Sequence, residues 1–192
     1  MRHKFERSIK VTDDEWLQII SGRKEITIPK RTVFSRPGTV FSKMYYLEKG
    51  MCRSYIIDEN GEEKTIFFFK EDDWVTEYLS FAKEQFSNFY FETIEDCHFS
   101  YFFKEGITQL YADNPKFLKF HIDTTDDEYA KLVERMVQFY IDDLAVRHQK
   151  LTQKFPELFQ RVPQHMIASY LGVKPQSLSR MIAGMKGGGL KS

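Results

Sequence analysis

The spacing of hydrophobic and polar residues changes twice along the chain. Residues 5–22 have apolar residues at helical spacing, and Thr12 followed by Glu15 predicts a capping box. Residues 24–103 contain short apolar runs separated by turn residues, among them Asn60-Gly61, which favours a β-hairpin. After this region the apolar spacing becomes helical again. The pattern therefore predicts a β-sandwich or β-barrel between a short N-terminal helix and a helical C-terminal part.

The helical part begins at residues 104–113, and a second helix begins at Asn114-Pro115, where proline suits the first turn. Apolar residues then alternate in spacing between four and three, as in a coiled-coil seam. The predicted seam residues are Leu118, Ile122, Tyr129, Leu132 and Met136, with Thr125 and Phe139 at two further positions. This row predicts pairing with a second copy of the chain; the alternative is a helix packed on its own barrel. Further helix is predicted through Lys154.

Residues 162–185 predict two short helices, 163–171 and 175–185, joined by a tight turn at Gly172. Ala168 is small where the second helix would cross the first, and Gly172 tolerates the positive φ that such a turn requires. The apolar residues that would hold the two helices together are Ile167, Leu171, Leu178, Met181 and Ile182. This spacing is typical of a helix-turn-helix, although a plain helical hairpin in a core has the same pattern.

The predicted outward face of the second helix and its flanks is polar and cationic. Its residues are Lys174, Gln176, Ser177, Ser179, Arg180 and Lys186. Arginine can hydrogen-bond to guanine and glutamine to adenine in the major groove, whereas lysine at the flanks suits phosphate. We therefore expect this face to contact double-stranded DNA.

Charge is distributed unevenly, although the net charge of the 192-residue chain is zero. Residues 143–192 have a net charge of +6, which leaves −6 on the remainder. A basic end on an acidic body suggests a polyanionic partner; the alternative is a solvated basic face. The aromatic content of 16% favours β structure, and Cys52 and Cys97 are expected to be buried and reduced.

No apolar run approaches the roughly 18 residues of a membrane span, and the N-terminus lacks the apolar stretch of a signal peptide. We therefore expect a cytoplasmic protein with no membrane partner.

The order of these parts resembles the Crp/Fnr family of bacterial transcription regulators, in particular the short, wingless regulators of Bacteroidetes-type bacteria. The resemblance rests on KMYYLEKGMCRSYIIDENGEEKTIFFFKEDDWV and FPELFQRVPQHMIASYLGVKPQSLSRM. It implies an α+β fold: an N-terminal β-roll or jelly-roll barrel of cyclic-nucleotide-binding type at 1–114, a dimerisation helix at 115–140, and an all-α helix-turn-helix domain at 141–192. It also implies a homodimer that binds double-stranded DNA, acts on RNA polymerase and responds to a small-molecule effector of unknown identity.

Two departures from the family pattern affect these expectations. In cyclic-AMP receptors a Gly-Glu pair opens the phosphate cassette and an arginine meets the cyclic phosphate. Here Glu77 matches the glutamate, but Thr76 replaces the glycine and Ser87 stands where the arginine would be. A buried phosphate without that arginine is costly, so we expect no useful affinity for cyclic AMP. The resemblance places a candidate effector pocket at Glu77, Tyr78, Ser87 and Asn88.

The second departure concerns the reading helix and the C-terminal residues after it. Family activators often present Arg, Glu and Arg there, whereas this chain has Pro175 and Gln176 at the first two places and Arg180 at the last. The usual β-wing is absent from the sequence. The final residues, 186–192, either touch phosphate or have no role.

Catalysis is an unfavoured alternative, considered because barrels of this kind also occur as cupin-type metal enzymes. A cupin site needs two histidines on one strand, a glutamate and a third histidine, yet only His98 lies in the strand region. Cys97 and His98 are adjacent and would point to opposite faces of a strand, so they cannot pair as nucleophile and base. We therefore expect no catalytic residues, no metal and no cofactor. A small-molecule-binding sensor or scaffold of the same fold, without DNA binding, is the second interpretation.

Overall fold

The computed structural model describes residues 1–188, and the side chains of residues 1–185. The strands in this part of the chain are β1 (Lys24–Ile28), β2 (Val33–Ser35), β3 (Lys43–Lys49), β4 (Cys52–Ile57), β5 (Glu63–Phe69), β6 (Trp74–Val75), β7 (Tyr90–Thr93) and β8 (Cys97–Phe103). The helices are α1 (Arg2–Glu6), α2 (Asp13–Ser21), α3 (Tyr78–Lys83), α4 (Lys104–Asp113), α5 (Pro115–Ile141), α6 (Leu144–Lys154), α7 (Leu158–Arg161), α8 (Gln164–Tyr170) and α9 (Pro175–Gly188). The predicted α+β fold class, with strands first and helices after them, is confirmed.

The strands form two four-stranded sheets, in the orders β1–β8–β3–β6 and β2–β7–β4–β5. Strand β8 pairs antiparallel with both β1 and β3, so the last strand of the sandwich lies between two early ones. Apolar and aromatic side chains form the core of the sandwich: Ile28, Phe41, Leu47, Cys52, Val75, Phe91, Cys97 and Phe99. Large aromatic groups fill this core, which explains the high aromatic content of the sequence.

Both cysteines are free and buried in that core, as the sequence predicted. Burial raises the pKa of the Cys97 thiol to about 12 and also raises that of Cys52. Both sulfurs therefore remain protonated thiols at neutral pH, as small apolar packing groups do.

The N-terminal segment forms two helices instead of the single helix predicted for residues 5–22. Helix α2 begins at Thr12, where the predicted capping box is present: the Glu15 amide donates to the Thr12 hydroxyl, and the Thr12 amide donates to the Glu15 carboxylate. The prediction joined the helices because both have apolar residues at helical spacing. Residues 7–12 are instead a non-helical connection between the two helices. It ends at the N-cap residue Thr12, after which the second helix begins.

A second apolar core lies where helices pack on the outer face of the sandwich. Its buried members are Phe5, Val11, Ile19, Met44, Phe81, Phe102, Ile107, Phe117 and Phe120. Phe81 belongs to α3, a helix inside the region for which the sequence predicted strands alone. Glu77 makes this helix possible, because its carboxylate accepts hydrogen bonds from the amides of Leu79 and Ser80.

The contacts divide the chain into two compact units. The first contains Met1–Ser54 and Phe68–Tyr129, and the second contains Tyr55–Phe67 and the residues from Ala130 onward. The boundaries 1–114, 115–140 and 141–192 stay a prediction. Among the helices of residues 1–188, none combines the length and apolar character that crossing a membrane would require.

Within the second unit, the β4–β5 hairpin is bonded to α8. The Ser169 hydroxyl donates to the Glu63 carbonyl at 2.7 Å and accepts from the Thr65 amide at 2.8 Å. Arg135 of α5 donates to the carbonyls of Ile66 and Tyr170. These bonds satisfy backbone groups at the sheet edge and at the end of α8, and they fix the position of α8 in the unit.

Helix α5 ends at Ile141, and Asp143 begins α6 by accepting a hydrogen bond from the Val146 amide at 2.9 Å. The helical region that was predicted to continue to Lys154 is therefore two helices. Asp143 is a good N-cap residue, and its position in the sequence is the signal for this break.

Candidate nucleic-acid interface

Helices α8 and α9 form the helix pair that the sequence predicted at 163–171 and 175–185. Ile167, Ala168, Leu171 and Leu178 are buried, and Leu178 is fully enclosed. Met181 and Ile182, which were predicted to pin the second helix, are partly buried. The apolar side of α9 is thus packed within the unit, which leaves its other side for contacts elsewhere.

The turn between α8 and α9 depends on Gly172. Its φ is +74°, a conformation that side chains with a Cβ rarely adopt. The Gly172 amide donates to the Ser169 carbonyl and the Val173 amide to the Ala168 carbonyl, each at 3.0 Å. A Cβ on Gly172 would lie 2.7 Å from Cε1 of Phe139, so glycine is required both by the backbone and by the neighbouring ring.

Two arginines lie around the Phe139 ring and were not identified from the sequence. Their guanidinium carbons are 5.5 Å (Arg135) and 5.1 Å (Arg147) from the ring centroid. Arg135 donates to the Tyr170 carbonyl at 3.1 Å and Arg147 to the Leu171 carbonyl at 3.3 Å, at the C-terminal end of α8. Cations are favourable at that end of a helix, so these two charges position the turn. Burial lowers the pKa of Arg135.

The predicted DNA-binding residues that the structure describes share one region of the surface. Lys174, Gln176, Ser179 and Arg180 are exposed, and Ser177 is partly buried. The side chain of Lys186 and residues 189–192 lie outside the described part of the chain. The five described residues belong to α9 and the residue directly before it, and their contact with DNA stays a prediction.

The basic side chains of the C-terminal part differ in the groups that they contact. Lys150 is ion-paired with Asp142 at 2.7 Å and Lys154 with Glu134 at 3.6 Å. Within residues 1–185, neither Lys174 nor Arg180 forms an ion pair with a carboxylate. Lys174 instead attracts Glu62 at longer range, and Arg147 donates to backbone carbonyls, so the exposed Arg180 differs from the ion-paired Lys150 and Lys154.

The five predicted seam residues of α5 are all exposed in the single chain: Leu118, Ile122, Tyr129, Leu132 and Met136. Tyr129 is 68% exposed and Met136 53%, values far from those of a helix face packed on its own barrel. Val137, Tyr140 and Ile141 are further exposed apolar residues in the last turns of the helix. Contiguous apolar surface of this kind marks an interaction site more often than it remains in water.

The four candidate effector residues have different surroundings. Glu77 caps α3, and Ser87 is buried, with its amide bonded to the Thr39 carbonyl and its hydroxyl to the Phe89 amide. Tyr78 is exposed and stacks on His121 with ring centroids 6.0 Å apart, whereas Asn88 is exposed on the loop before β7. The carboxylate and hydroxyl proposed for ligand contact are thus bonded to the protein itself. Their role in effector binding stays a prediction.

Histidines and acids do not gather into a metal site in the part of the chain that the structure describes. His98 hydrogen-bonds to the Thr27 hydroxyl at 3.1 Å and lies 3.7 Å from a Glu25 oxygen on the neighbouring strand.

Comparisons with known proteins agree with this architecture. Residues 25–114 match the family model described as the cyclic nucleotide-binding domain. No curated protein matches the sequence. Among solved structures, the c-di-GMP-responsive global regulator CLP of Xanthomonas campestris is 16% identical with a TM-score of 0.72, and the match covers 91% of this chain and 92% of that one.

Two further solved structures resemble this chain to a similar degree. FixK2 from Bradyrhizobium japonicum is 14% identical with a TM-score of 0.71, covering 88% of this chain and 86% of that one. A protein from Eubacterium rectale, described as a transcriptional regulator of the Crp/Fnr family, is 15% identical with a TM-score of 0.72, covering 94% and 86%. At these identities the likeness concerns the fold.

The fold is therefore that of a β-sandwich followed by C-terminal helices. More particularly, residues 25–114 match the model of the cyclic nucleotide-binding domain, and the chain shares its fold with solved structures that include a regulator described as Crp/Fnr, as the resemblance implied. Assignment to the short, wingless type stays a prediction; within residues 1–188, no strand follows Phe103.

Proposed function

We propose that this chain is a homodimeric, sequence-specific DNA-binding transcription regulator with no catalytic activity. The observation that supports this most directly is the surface of α9. One side of the helix is anchored by the fully buried Leu178, and the other presents Gln176, Ser179 and Arg180 to solvent. A rigid helix with exposed amide, hydroxyl and guanidinium groups can enter a major groove and hydrogen-bond to base edges.

Charge also favours DNA as the partner of this face. Arg180 forms no ion pair in the described chain and Lys174 has only a longer-range attraction to Glu62, whereas Lys150 and Lys154 are ion-paired. A phosphate backbone would provide the missing anions, and this contribution to binding weakens as salt rises. RNA polymerase would be the further partner of a regulator bound at a promoter.

Selection of bound sequences from a random DNA pool tests the proposal. We expect an inverted repeat, with half-sites about one helical turn, 10–10.5 base pairs, apart. An enriched inverted repeat would identify both specificity and two-fold symmetry. If no sequence is enriched and retention on DNA does not vary with salt, the chain is instead a sensor or scaffold that does not bind DNA.

Replacing Arg180 with alanine is expected to weaken binding to the selected site by about 1–3 kcal/mol, because a bidentate contact to guanine would be lost. The loss should be confined to one base position, measured by titrating DNAs that vary at each position. Lys174→Ala is the matched variant: as a phosphate contact it should weaken binding to all sequences and lower the salt slope by about one. An equal loss on every sequence for Arg180→Ala would instead make Arg180 a phosphate contact.

Homodimer formation through α5 is part of the same proposal. The exposed residues Leu118, Ile122, Tyr129, Leu132 and Met136 alternate in spacing as a self-pairing seam requires. A homodimer would also give the two-fold symmetry that an inverted-repeat operator matches.

Cyclic AMP is expected not to bind at useful affinity. Ser87 offers no positive charge to a phosphate and is already bonded to Thr39 and Phe89, while Glu77 accepts two amide hydrogens of α3. A bound phosphate would therefore lose hydration without a charged partner at Ser87. Isothermal calorimetry of the full chain should give no heat of binding at micromolar cyclic AMP, and micromolar affinity would contradict this expectation.

A further inference from the structure

A cavity of about 350 Å³ opens in the first unit beside strands β2 and β3. Its lining includes the aromatic side chains of Phe34, Phe41 and Tyr45 and the basic side chains of Arg36 and Lys43. None of the candidate effector residues lines it, although Ser87, one of them, donates its amide hydrogen to the carbonyl of the lining residue Thr39. Its volume is in the range of small-molecule sites.

Tyr45 is the most informative residue of this cavity. Its ring centroid lies within 6 Å of four other aromatic rings, those of Phe34, Phe41, Phe99 and Tyr101. The hydroxyl forms no hydrogen bond with the described part of the protein. Burial raises the pKa of Tyr45 to about 12, with a smaller contribution from Tyr101, so the hydroxyl remains a neutral donor. A polar group held without a protein partner among aromatic walls is available to a ligand.

The charges at the cavity have one sign. Lys43 lies 4.7 Å from the Tyr101 ring centroid and 5.6 Å from that of Phe103, and it forms no ion pair within the described residues. Arg36 is exposed and forms no ion pair there either. No acidic residue lines the cavity. The lining therefore has two positive charges and no negative one.

We propose that this cavity binds a small aromatic carboxylate. The flat ring of the ligand would lie against the partly buried Phe34, the carboxylate would face Lys43 and Arg36, and the Tyr45 hydroxyl would donate to it. Aromatic walls favour a planar ring through offset or edge contacts, and a basic side chain favours the ionised carboxylate. This site is independent of the proposed DNA-binding function, since it is formed by residues of the first unit alone.

Three probes separate the contributions of ring and charge in calorimetric titrations of the full chain. Cinnamate has both a planar ring and a carboxylate, cinnamyl alcohol has the ring without the charge, and octanoate has the charge without the ring. We expect cinnamate to bind with a dissociation constant of about 0.1–1 mM, and the other two to bind at least about fivefold more weakly. These titrations contain no DNA. A negative result would therefore count against this ligand site and leave the DNA-binding proposal unaffected.

Variants locate the site. Lys43→Gln and Arg36→Gln should each weaken cinnamate binding by about three- to tenfold, and Tyr45→Phe by a similar factor. Lys24→Gln is the matched control: Lys24 also contacts the Phe103 ring, at 5.1 Å, but does not line the cavity, so binding should be unchanged. Urea unfolding of each variant verifies that the fold is retained.

The proposal is overturned by any of three results. The first is the absence of heat from cinnamate up to about 5 mM, well above the expected dissociation constant. The second is that cinnamyl alcohol or octanoate binds as tightly as cinnamate. Equal binding of the alcohol would show that the charge is not recognised, and equal binding of octanoate would show that the ring is not. The third is a loss of binding in Lys24→Gln as large as that in Lys43→Gln, which would indicate nonspecific attraction to surface charge.

Discussion

Replacing Gly172 with valine is expected to destabilise the second unit by about 2–5 kcal/mol. Part of this cost is the left-handed backbone conformation, about 1–2 kcal/mol for a residue with a Cβ, and part is overpacking against Phe139, about 1–3 kcal/mol. The position has φ +74° and a ring atom 2.7 Å from the site of a Cβ. Urea unfolding followed by far-ultraviolet circular dichroism measures the loss.

Gly61 provides a control for the backbone part of this cost. Its φ is +77°, nearly the same as that of Gly172, but nothing lies within 4 Å of the position of a Cβ. Gly61→Ala should therefore cost only about 1–2 kcal/mol, from the left-handed conformation alone. Gly172→Ala should lower the free energy of unfolding more than Gly61→Ala does. Equal losses would show that the Phe139 ring moves aside without a measurable energetic cost.

A double-mutant cycle isolates the contact with the ring. In a Phe139→Ala background the ring is gone, so Gly172→Ala should cost about as much as Gly61→Ala does. The coupling between the two positions should be about 1–3 kcal/mol. A coupling near zero would mean that the approach of Phe139 to Gly172 does not constrain the turn.

The contacts of Phe139 differ from those that the sequence pattern predicted. The four-and-three spacing of apolar residues placed Phe139 at the last position of the seam. In the structure it contacts Gly172, Arg135 and Arg147 within the same chain. An α-helix has 3.6 residues per turn, so a row spaced at 3.5 drifts around it and its last member can face another direction.

The helix pair was predictable because its requirements are local. Ala168, Gly172 and Leu178 lie at spacings set by helix geometry, and the structure places α8 and α9 within a few residues of the prediction. Arg135 and Ser169 were missed for the opposite reason. Their partners, the carbonyls of Ile66 and Glu63, are 69 and 106 residues away in sequence, and backbone carbonyls leave no residue-specific signal.

Charged and polar residues were the most ambiguous part of the sequence. Glu77 matched a ligand-binding position by resemblance, yet in the structure it caps α3, because a carboxylate that follows a strand can satisfy the first amides of a helix. Likewise, the basic excess of the C-terminal part suggested one polyanion-binding surface. Two of its lysines are instead bound to Asp142 and Glu134, and Arg147 binds backbone carbonyls. Sequence alone counts charges but does not assign their partners.

Replacing Leu132 with lysine is expected to raise the dissociation constant of the proposed dimer by at least about a thousandfold. In a symmetric seam each substitution occurs twice, and each copy places an ammonium group in a surface that pairing would otherwise dehydrate. Leu132 is exposed in the single chain, so the monomer itself should remain folded. Sedimentation velocity over a range of concentrations, with circular dichroism of the same samples, measures both properties.

Asp127→Lys is the matched control for this variant. Asp127 is also exposed on α5, five residues before Leu132, but it lies on the opposite face of the helix from the seam. The same new side chain at that position should leave the dimer intact, because it remains in water. If both variants dissociate to the same extent, added charge alone separates the copies and the seam has no special role. If the unsubstituted chain sediments as a monomer at all concentrations, α5 does not pair, and an inverted-repeat operator would then lack its structural basis.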